Sequence, residues 1–529
     1  MRRVQCCLLP ATTTLSSFLA RHAAAAHPGR QLTANRASVG LVSDSRCIFE
    51  NLAVEEALLR GIVLPPGQQL LFSYVNSPCV VIGRNQNYLQ EVAVAAASRD
   101  GVAVARRSSG GGAVYHDAGN VCLSFFTHRD AYHPERTIQI VRLFLCRAFD
   151  ICPERLTTTC RHDLFLDGKK ITGSAMRVQR DIAYHHCTLL VASCRERVGA
   201  YLRPEGQYVS FTTSSIVSVR SPVTTLQLSG VLPRFCCSGD QSQNGNTDSN
   251  DDVVRCTQNA LLDFFLCHGG EIISHQSPWE IEPSALLWPK SVEAKEDEVK
   301  TLPAPREDVC VFNLLSTPQE DTPIVDAEGR RPVAGSSKTL REEVDRLRSA
   351  DWMFSMPKFT TCVAVTVADL LTFQQDARGH PRLPAEVILY LMQGHAQFEV
   401  TTVVEKRRIT ALTTRWAEST AADAGEAWCA NVLRVLLEGV NVDDVTLSVS
   451  EDDAVLLAAL QFECFDVMNG VPLPPVAATS AAADCSRSGL DGQSAVLLFL
   501  QTLLCVWRAK NVFVPVSTGE RSVSSAASE

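Results

Sequence analysis

Three consecutive glycines follow two arginines and two serines in the stretch RRSSGGGAVYHDAGN, residues 106–120. Inside regular structure each glycine is worse than alanine by about 0.5–1 kcal/mol, so the run forgoes about 1.5–3 kcal/mol and marks a place that needs bare backbone. A P-loop requires G-x-x-x-x-G-K-[ST], but Gly110, Gly111 and Gly112 lead into Ala-Val-Tyr with no lysine in place. A dinucleotide-binding turn needs a helix after its glycines, but the segment that follows here reads as a strand. Two readings remain. Backbone N–H groups without a Cβ barrier can cradle an anion that Arg106 or Arg107 clamps, or the glycines make a tight bend at a sheet edge.

The neighbouring elements place this loop in an α+β fold. IFENLAVEEALLR, residues 48–60, reads as a helix with Ile48, Leu52 and Leu59 on one face and Glu55 and Glu56 directed elsewhere. LLFSYV and CVVIG follow as strands joined by a tight turn at Asn76-Ser77-Pro78. GVAVARR leads as a strand into the glycines, and AVYH and VCLSFF flank Asp117-Ala118-Gly119-Asn120, whose composition suits a hairpin turn. Ile138, Val141, Leu145 and Phe149 mark an amphipathic helix, after which DLFL, KKITGSAMRVQ and IAYHHCTLLVA read as strands separated by Asp167-Gly168 and Arg180-Asp181. The pattern predicts a mostly antiparallel sheet with flanking helices.

At 529 residues the chain exceeds a single core. The first 43 residues contain no Asp or Glu and mix arginine with Ser, Thr and Ala, a transit-peptide composition that predicts a mitochondrial leader, the alternative being a merely disordered one. A catalytic domain is expected over 44–275, interrupted by a disordered polar insertion at 238–252, after which a helix over Val253–Cys267 ends at a Gly269-Gly270 cap. Residues 276–350 read as a linker or insertion with one helix at Thr339–Arg348, and 351–510 as a smaller α+β domain whose hairpin turns near Lys406-Arg407, with a tail over 511–529. Residues 474–493 read as another loose insertion. Ser494–Trp507 is too short for a bilayer and predicts a buried helix, so no membrane span is expected.

A net charge of -9 argues against a chain-wide nucleic-acid surface. The 20 cysteines contain no C-x-x-C pair and read as reduced thiols rather than zinc ligands or a disulfide framework. Strand alternation puts Lys170, Thr172 and Ser174 on one face and Ile171 on the other, where the lysine either meets a ligand or is an ordinary exposed hairpin lysine. His185 and His186 are adjacent and point to opposite faces, so they cannot jointly hold a metal. Cys187 reads by default as a buried, inert thiol.

NLAVEEALLR, VVIGRNQN, RRSSGGGAVYHDAGN, DL…KITGSAMR, HHCTLL and SVRSPV together, in this order, resemble the lipoate-protein ligase family, whose catalytic fold is shared with biotin protein ligases and octanoyl transferases. The resemblance covers residues 48–270 densely and 351–510 weakly, as an accessory C-terminal domain. It implies an enzyme that takes lipoate and ATP, forms lipoyl-adenylate, and passes the acyl group to a lysine on lipoyl domains of oxoacid dehydrogenase E2 subunits or on the glycine-cleavage H protein. It carries a nucleotide-contacting role onto Arg107 and an adenylate-binding loop onto Gly112, Ala113, Val114 and Tyr115, with Ser109 and His116 beside it. The essential lysine falls on Lys170, followed by Ser174, Ala175 and Arg177 in the same wall. A compact ammonium between carboxylate and phosphate suits the attack of one anion on another, and Asp163 is expected to help hold the Mg2+ that accompanies ATP.

Two positions depart from the family pattern: His162 stands for the usual Asn, and Cys187 for the Gly of HHGTLL. The first bears on adenylation, and the second puts a thiol near the pocket, where the resemblance to octanoyl transferases that carry acyl groups on cysteine offers a role beyond the inert one. The alternatives are therefore a lipoyl or octanoyl transferase that receives its acyl group preformed, without an ATP step, and a non-catalytic protein that binds lipoyl domains. A monomer acting on small-molecule lipoate or octanoate is expected.

Overall fold

The computed structural model describes residues 38–64, 67–231, 248–274, 281, 283–286, 309–312, 337–376, 383, 385–392, 395–416, 433–434, 437–442 and 492–511. The expected leader over 1–37, most of the insertions, and the tail beyond Asn511 lie outside these residues. The chain divides into two compact units, one of residues 1–84, 103–202 and 218–349, the other of 85–102, 203–217 and 350–529. Two segments from within the stretch expected to be catalytic thus belong to the second unit.

The first unit is built on a six-stranded sheet. Its strands are β1 (Ser38–Ser43), β2 (Gln69–Val75), β6 (Asn120–His128), β10 (Ser174–Val178), β11 (Ile182–Leu190) and β13 (Val309–Phe312), in the order β10-β11-β6-β2-β1-β13. The neighbours from β10 to β2 are antiparallel, whereas β1 lies parallel to both β2 and β13. A second sheet, β4-β3-β5, consists of β3 (Cys79–Ile82), β4 (Ala103–Arg106) and β5 (Val114–His116), and a third runs β7 (Leu156–Thr158), β8 (Leu164–Leu166), β9 (Lys169–Lys170). The fold is α+β with predominantly antiparallel pairing.

Helices cover the large sheet on both faces. On one, α2 (Pro134–Phe149) and α3 (Asp248–Ser274) bury Ile138, Leu145, Phe149, Phe264, Phe265 and Ile272 against Leu71, Leu123, Phe125 and Leu189. On the other lies α1 (Ile48–Gly61), which α4 (Ser337–Arg348) flanks; Arg348 sits over the Phe49 ring at 5.2 Å.

Several expectations need correction here. Ser38–Ser43, assigned to the leader, form β1, and Val309–Phe312 and α4, assigned to the linker, extend the sheet and pack on α1, because the apolar runs find partners far away in sequence. The turn at Asn76-Ser77-Pro78 makes no hairpin: β2 stays in the large sheet while β3 enters the small one. Asp117–Asn120 likewise links β5 and β6 across two sheets. Residues 248–252, expected to be disordered, open α3, and α3 runs through Gly269 and Gly270 to Ser274. Packing overrides the poor helical propensity of those glycines: Ile272 and Ile273 are buried, and a Cβ on Gly269 would lie 2.7 Å from the Phe265 ring. KKITGSAMRVQ is two strands, β9 and β10, broken at Ile171–Gly173, and Thr172 turns inward to accept a hydrogen bond from Leu164 N at 2.7 Å.

The second unit carries a four-stranded antiparallel sheet, β12 (Ser210–Thr213), β14 (Phe359–Thr366), β15 (Gln397–Glu405) and β16 (Arg408–Trp416), in that order. The β15–β16 hairpin turns at Lys406 and Arg407, both with positive φ, as the sequence suggests. Helices α5 (Val367–Asp376), α6 (Ala385–Leu391) and α7 (Gly492–Asn511) belong to this unit, and within the helix predicted at Ser494–Trp507 the side chains of Phe499, Leu500, Leu503, Leu504 and Trp507 are buried, Trp507 Nε1 donating to Thr402 Oγ1 at 3.3 Å. No helix among the described residues is long and apolar enough to cross a membrane.

Candidate functional site

The glycine loop joins β4 to β5, and a buried arginine shapes it. Arg107 Nη1 donates to Val81 O at 3.1 Å, Nη2 to Gly110 O at 2.6 Å and Gly112 O at 2.7 Å, and Nε to Ser109 Oγ at 3.0 Å and Gly110 O at 3.1 Å. Burial pulls its pKa down to about 10. Its guanidinium is thus committed to holding the loop's carbonyls. Arg106 is fully buried and donates to Gly83 O and Arg84 O, both at 3.1 Å. Gly111 has φ +84°, and a Cβ on Gly83 would lie 2.1 Å from Gly111 O, so backbone meets backbone where the loop folds back on β3. That contact explains the expense of the glycine run.

The lysine expected to be essential sits nearby. Lys170 Nζ lies 2.7 Å from Asp163 Oδ2, and Asp163 Oδ1 accepts from Ser174 N at 2.8 Å. Ser174 Oγ donates to His162 O at 2.7 Å, and His162 has φ +61°. Asp163, Lys170 and Ser174 therefore form one cluster. It borders the loop: at Gly173 a Cβ would lie 3.6 Å from Val114 Cγ1 and 3.7 Å from Lys170 Cε, and at Gly111 one would lie 3.2 Å from Ala175 Cβ. The SVRSPV segment braces both sides, since Ser218 Oγ accepts from Ala113 N at 2.8 Å and Pro222 O accepts from Lys170 N at 2.8 Å.

A buried polar chain runs behind the loop. Ser109 Oγ lies 2.8 Å from His186 Nε2, and His186 Nδ1 lies 3.3 Å from each oxygen of Glu55. Tyr74 donates to Glu55 at 3.0 Å, and Ser124 Oγ donates to it as well. Burial alone would raise the Glu55 carboxyl, but His186 and the Ser124 and Tyr74 donors hold it below the ordinary range. Glu56 pairs with Arg177 and with Arg60 at 2.6 Å. Both glutamates are buried, contrary to expectation, because positions three and four beyond Leu52 share its helical face.

The other expected residues lie deeper. His116 is buried, accepts from Asn76 Nδ2 at 3.0 Å on Nδ1, and is pulled down to about 3 by burial and by Arg107, so it is neutral. Tyr115 packs on Tyr201 at 5.5 Å and burial pushes its hydroxyl up to about 12. Arg177 is drawn to Glu56 on α1. His185 and His186 do point to opposite faces, His185 toward Thr137 and His186 toward Ser109. Cys187 is buried in the core, where desolvation and then Asp163 push its thiol up to about 12. Glu55 and Glu56 escaped the sequence reading, although two acids within an otherwise apolar helical face signal buried partners.

As a metal ligand Asp163 fits poorly, since both carboxylate oxygens are engaged by Lys170 and Ser174, and no group of three or more metal-binding side chains occurs among the described residues.

An antiparallel-rich sheet in the first unit thus brings a glycine loop and a lysine side by side. Residues 47–231 match the model of the lipoyl protein ligase A/B catalytic domain. The chain is 39% identical over 189 residues to the mitochondrial lipoyl amidotransferase LIPT1 of Mus musculus, a match covering 35% of this chain and 49% of that protein. To LIPT1 of Homo sapiens it is 40% identical over 183 residues, covering 34% and 48%. The chain thus spans about half the length of the curated relatives it matches. The solved LipL1 of P. falciparum, in complex with lipoate, is 17% identical, covering 81% of this chain and 99% of that one at a TM-score of 0.38, a likeness too loose to carry an argument.

Proposed function

We propose that the protein is a mitochondrial lipoyl amidotransferase, which moves a lipoyl group from a lipoylated carrier to a lysine ε-amine on a lipoyl domain. Its donors and acceptors are H-protein-like carriers and oxoacid dehydrogenase E2 lipoyl domains, and the related octanoyl group is a second acyl candidate. Residues 47–231 carry the chemistry, and the 350–511 portion of the second unit serves as the accessory domain.

The observation that carries this reading is Lys170, its ammonium 2.7 Å from Asp163 beside the glycine loop, where a point charge can meet an acyl carbonyl. Two features favour transfer over ATP-dependent ligation. Arg107, expected to contact the nucleotide, is committed to loop carbonyls, and Asp163, expected to hold Mg2+, is already neutralised. The names of the two mammalian relatives point the same way.

The test is transfer from lipoylated H protein to an apo lipoyl domain, with and without ATP, alongside lipoate-dependent pyrophosphate exchange. Transfer without ATP and without exchange is the expected result. ATP-dependent exchange would restore the ligase reading, with ATP and Mg2+ as cofactors and lipoate as substrate. Binding of the lipoyl domain without any transfer would leave a non-catalytic binding protein.

A further inference from the structure

Exchange of one amide for another without ATP must keep the acyl group activated between donor and acceptor, and a covalent enzyme intermediate does this. Cys187, opposite Ser174 in the β10–β11 pairing, is unsuited: it lies in the core with its thiol pushed up to about 12, and in β11 it points away from the face that carries His186. The glycine loop supplies a different nucleophile.

We propose, resting on the amidotransferase reading, that Ser109 carries the acyl group as an ester, with His186 as its general base and Glu55 as the carboxylate that orients and stabilises His186. The geometry is that of a nucleophile, base and acid in series: Ser109 Oγ to His186 Nε2 at 2.8 Å, and His186 Nδ1 to the Glu55 carboxylate at 3.3 Å. The parts come from three separate elements. Ser109 sits in the loop after β4, His186 is in β11 and Glu55 is in α1, and Tyr74 and Ser124 fix Glu55 from β2 and β6. Arg107 Nε, 3.0 Å from Ser109 Oγ, favours the alkoxide as its proton leaves.

Ser109 itself is buried, and its loop neighbours are the half-buried Gly110 and the exposed Gly111, neither of which has a side chain. The same enclosure keeps water from the ester.

The reaction balances without any added reagent. Ser109 Oγ attacks the carbonyl carbon of the donor's lipoyl-lysine amide while its proton passes to His186 Nε2. His186 returns that proton to the departing ε-nitrogen as the C–N bond breaks, leaving an acyl-serine ester and a free donor amine. The acceptor's neutral ε-amine then attacks the ester carbon and gives a proton to His186, and the C–O bond breaks as Ser109 recovers the proton.

A fluorophosphonate probe and, separately, lipoylated H protein without acceptor are incubated with the full-length protein, and the peptide containing Ser109 is examined by mass spectrometry. A phosphonyl adduct and an acyl adduct on Ser109 are expected, and Ser109→Ala is expected to lose both and to transfer at least about 10³-fold more slowly. Ser109→Cys guards against a misfolded loop: with an unchanged circular dichroism spectrum it is expected to trap a hydroxylamine-labile acyl adduct from the same donor. A wild-type protein that transfers with no adduct at Ser109, a Ser109→Ala variant that transfers at the wild-type rate, or a folded Ser109→Cys that stays unacylated would overturn the proposal while leaving the amidotransferase reading intact. Labelling of Ser109 by the probe in a protein that transfers to no lipoyl domain would overturn that reading and leave the nucleophile standing.

Discussion

Two histidines are buried neutral, His116 in the small sheet of β3 to β5 and His185 in the large sheet, and acid should find them both. Burial holds His116 and His185 at about 3, against an ordinary value of 6.5. The unfolded chain therefore takes up protons below pH 6.5 that the folded chain refuses, so stability falls as pH drops from 6.5 toward 3. At 1.36 kcal/mol per pH unit, the 1.5 units between 6.5 and 5 amount to about 2 kcal/mol for each histidine. Glu55, held below the ordinary carboxylate value of 4.5, adds to the loss only at lower pH, because it favours the folded state while ionised. The assay is urea unfolding at pH 7 and pH 5 followed by far-UV circular dichroism, because the six tryptophans are divided between the units, Trp279 and Trp288 in the first and the other four in the second, and their fluorescence would mix the two. His185→Phe removes one titrating group, and its unfolding free energy should change about 2 kcal/mol less than that of the wild type between the two pH values. An unchanged difference would show that His185 is protonated in the folded state and would refute the argument from burial.

Other consequences are more direct. Lys170→Ala should abolish acyl transfer and leave the circular dichroism spectrum close to wild type, while lowering the melting temperature, since the buried Asp163 carboxylate loses its partner at 2.7 Å. Gly83→Ala should destabilise the loop by at least the upper end of about 1–3 kcal/mol, read in denaturant melts, because the new Cβ would lie 2.1 Å from Gly111 O. A stability equal to wild type there would mean the loop closes differently. Arg107→Lys should cost about 2–4 kcal/mol despite keeping the charge, since an ammonium cannot reproduce the fork on Ser109, Gly110 and Gly112, and the orphaned carbonyls should appear as faster amide exchange across β3 to β5.

Periodicity and turn chemistry made most individual elements legible, among them α2, β11 and the β15–β16 hairpin with its Lys406-Arg407 turn. They reported less about which strands would meet. β2 and β3 are separated only by Asn76-Ser77-Pro78, yet pair in different sheets, because pairing is decided by partners remote in sequence rather than by the turn between them. In the site, the glycine loop, Lys170 and Asp163 stood out as motifs, since unusual residues at fixed spacing leave a local trace. The Glu55–His186–Ser109 chain left almost none: its members are 54 and 77 residues apart along the sequence and meet only because α1 lies across β11. His186 alone is an ordinary strand histidine, and only the fold shows what it faces.

The parallel pairing of β1 with β13 has a consequence in time. Gly40 sits opposite Val309, so the outer edge of the large sheet waits for a partner some 270 residues downstream. A chain emerging from a ribosome, or threading through a narrow passage from its N-terminus, exposes that unpaired edge throughout the interval, and the segments 85–102 and 203–217 of the other unit appear before it closes. Holding β1 back from wrong strand partners until β13 arrives is therefore the step at which a newly made chain is most exposed to aggregation and most in need of a chaperone.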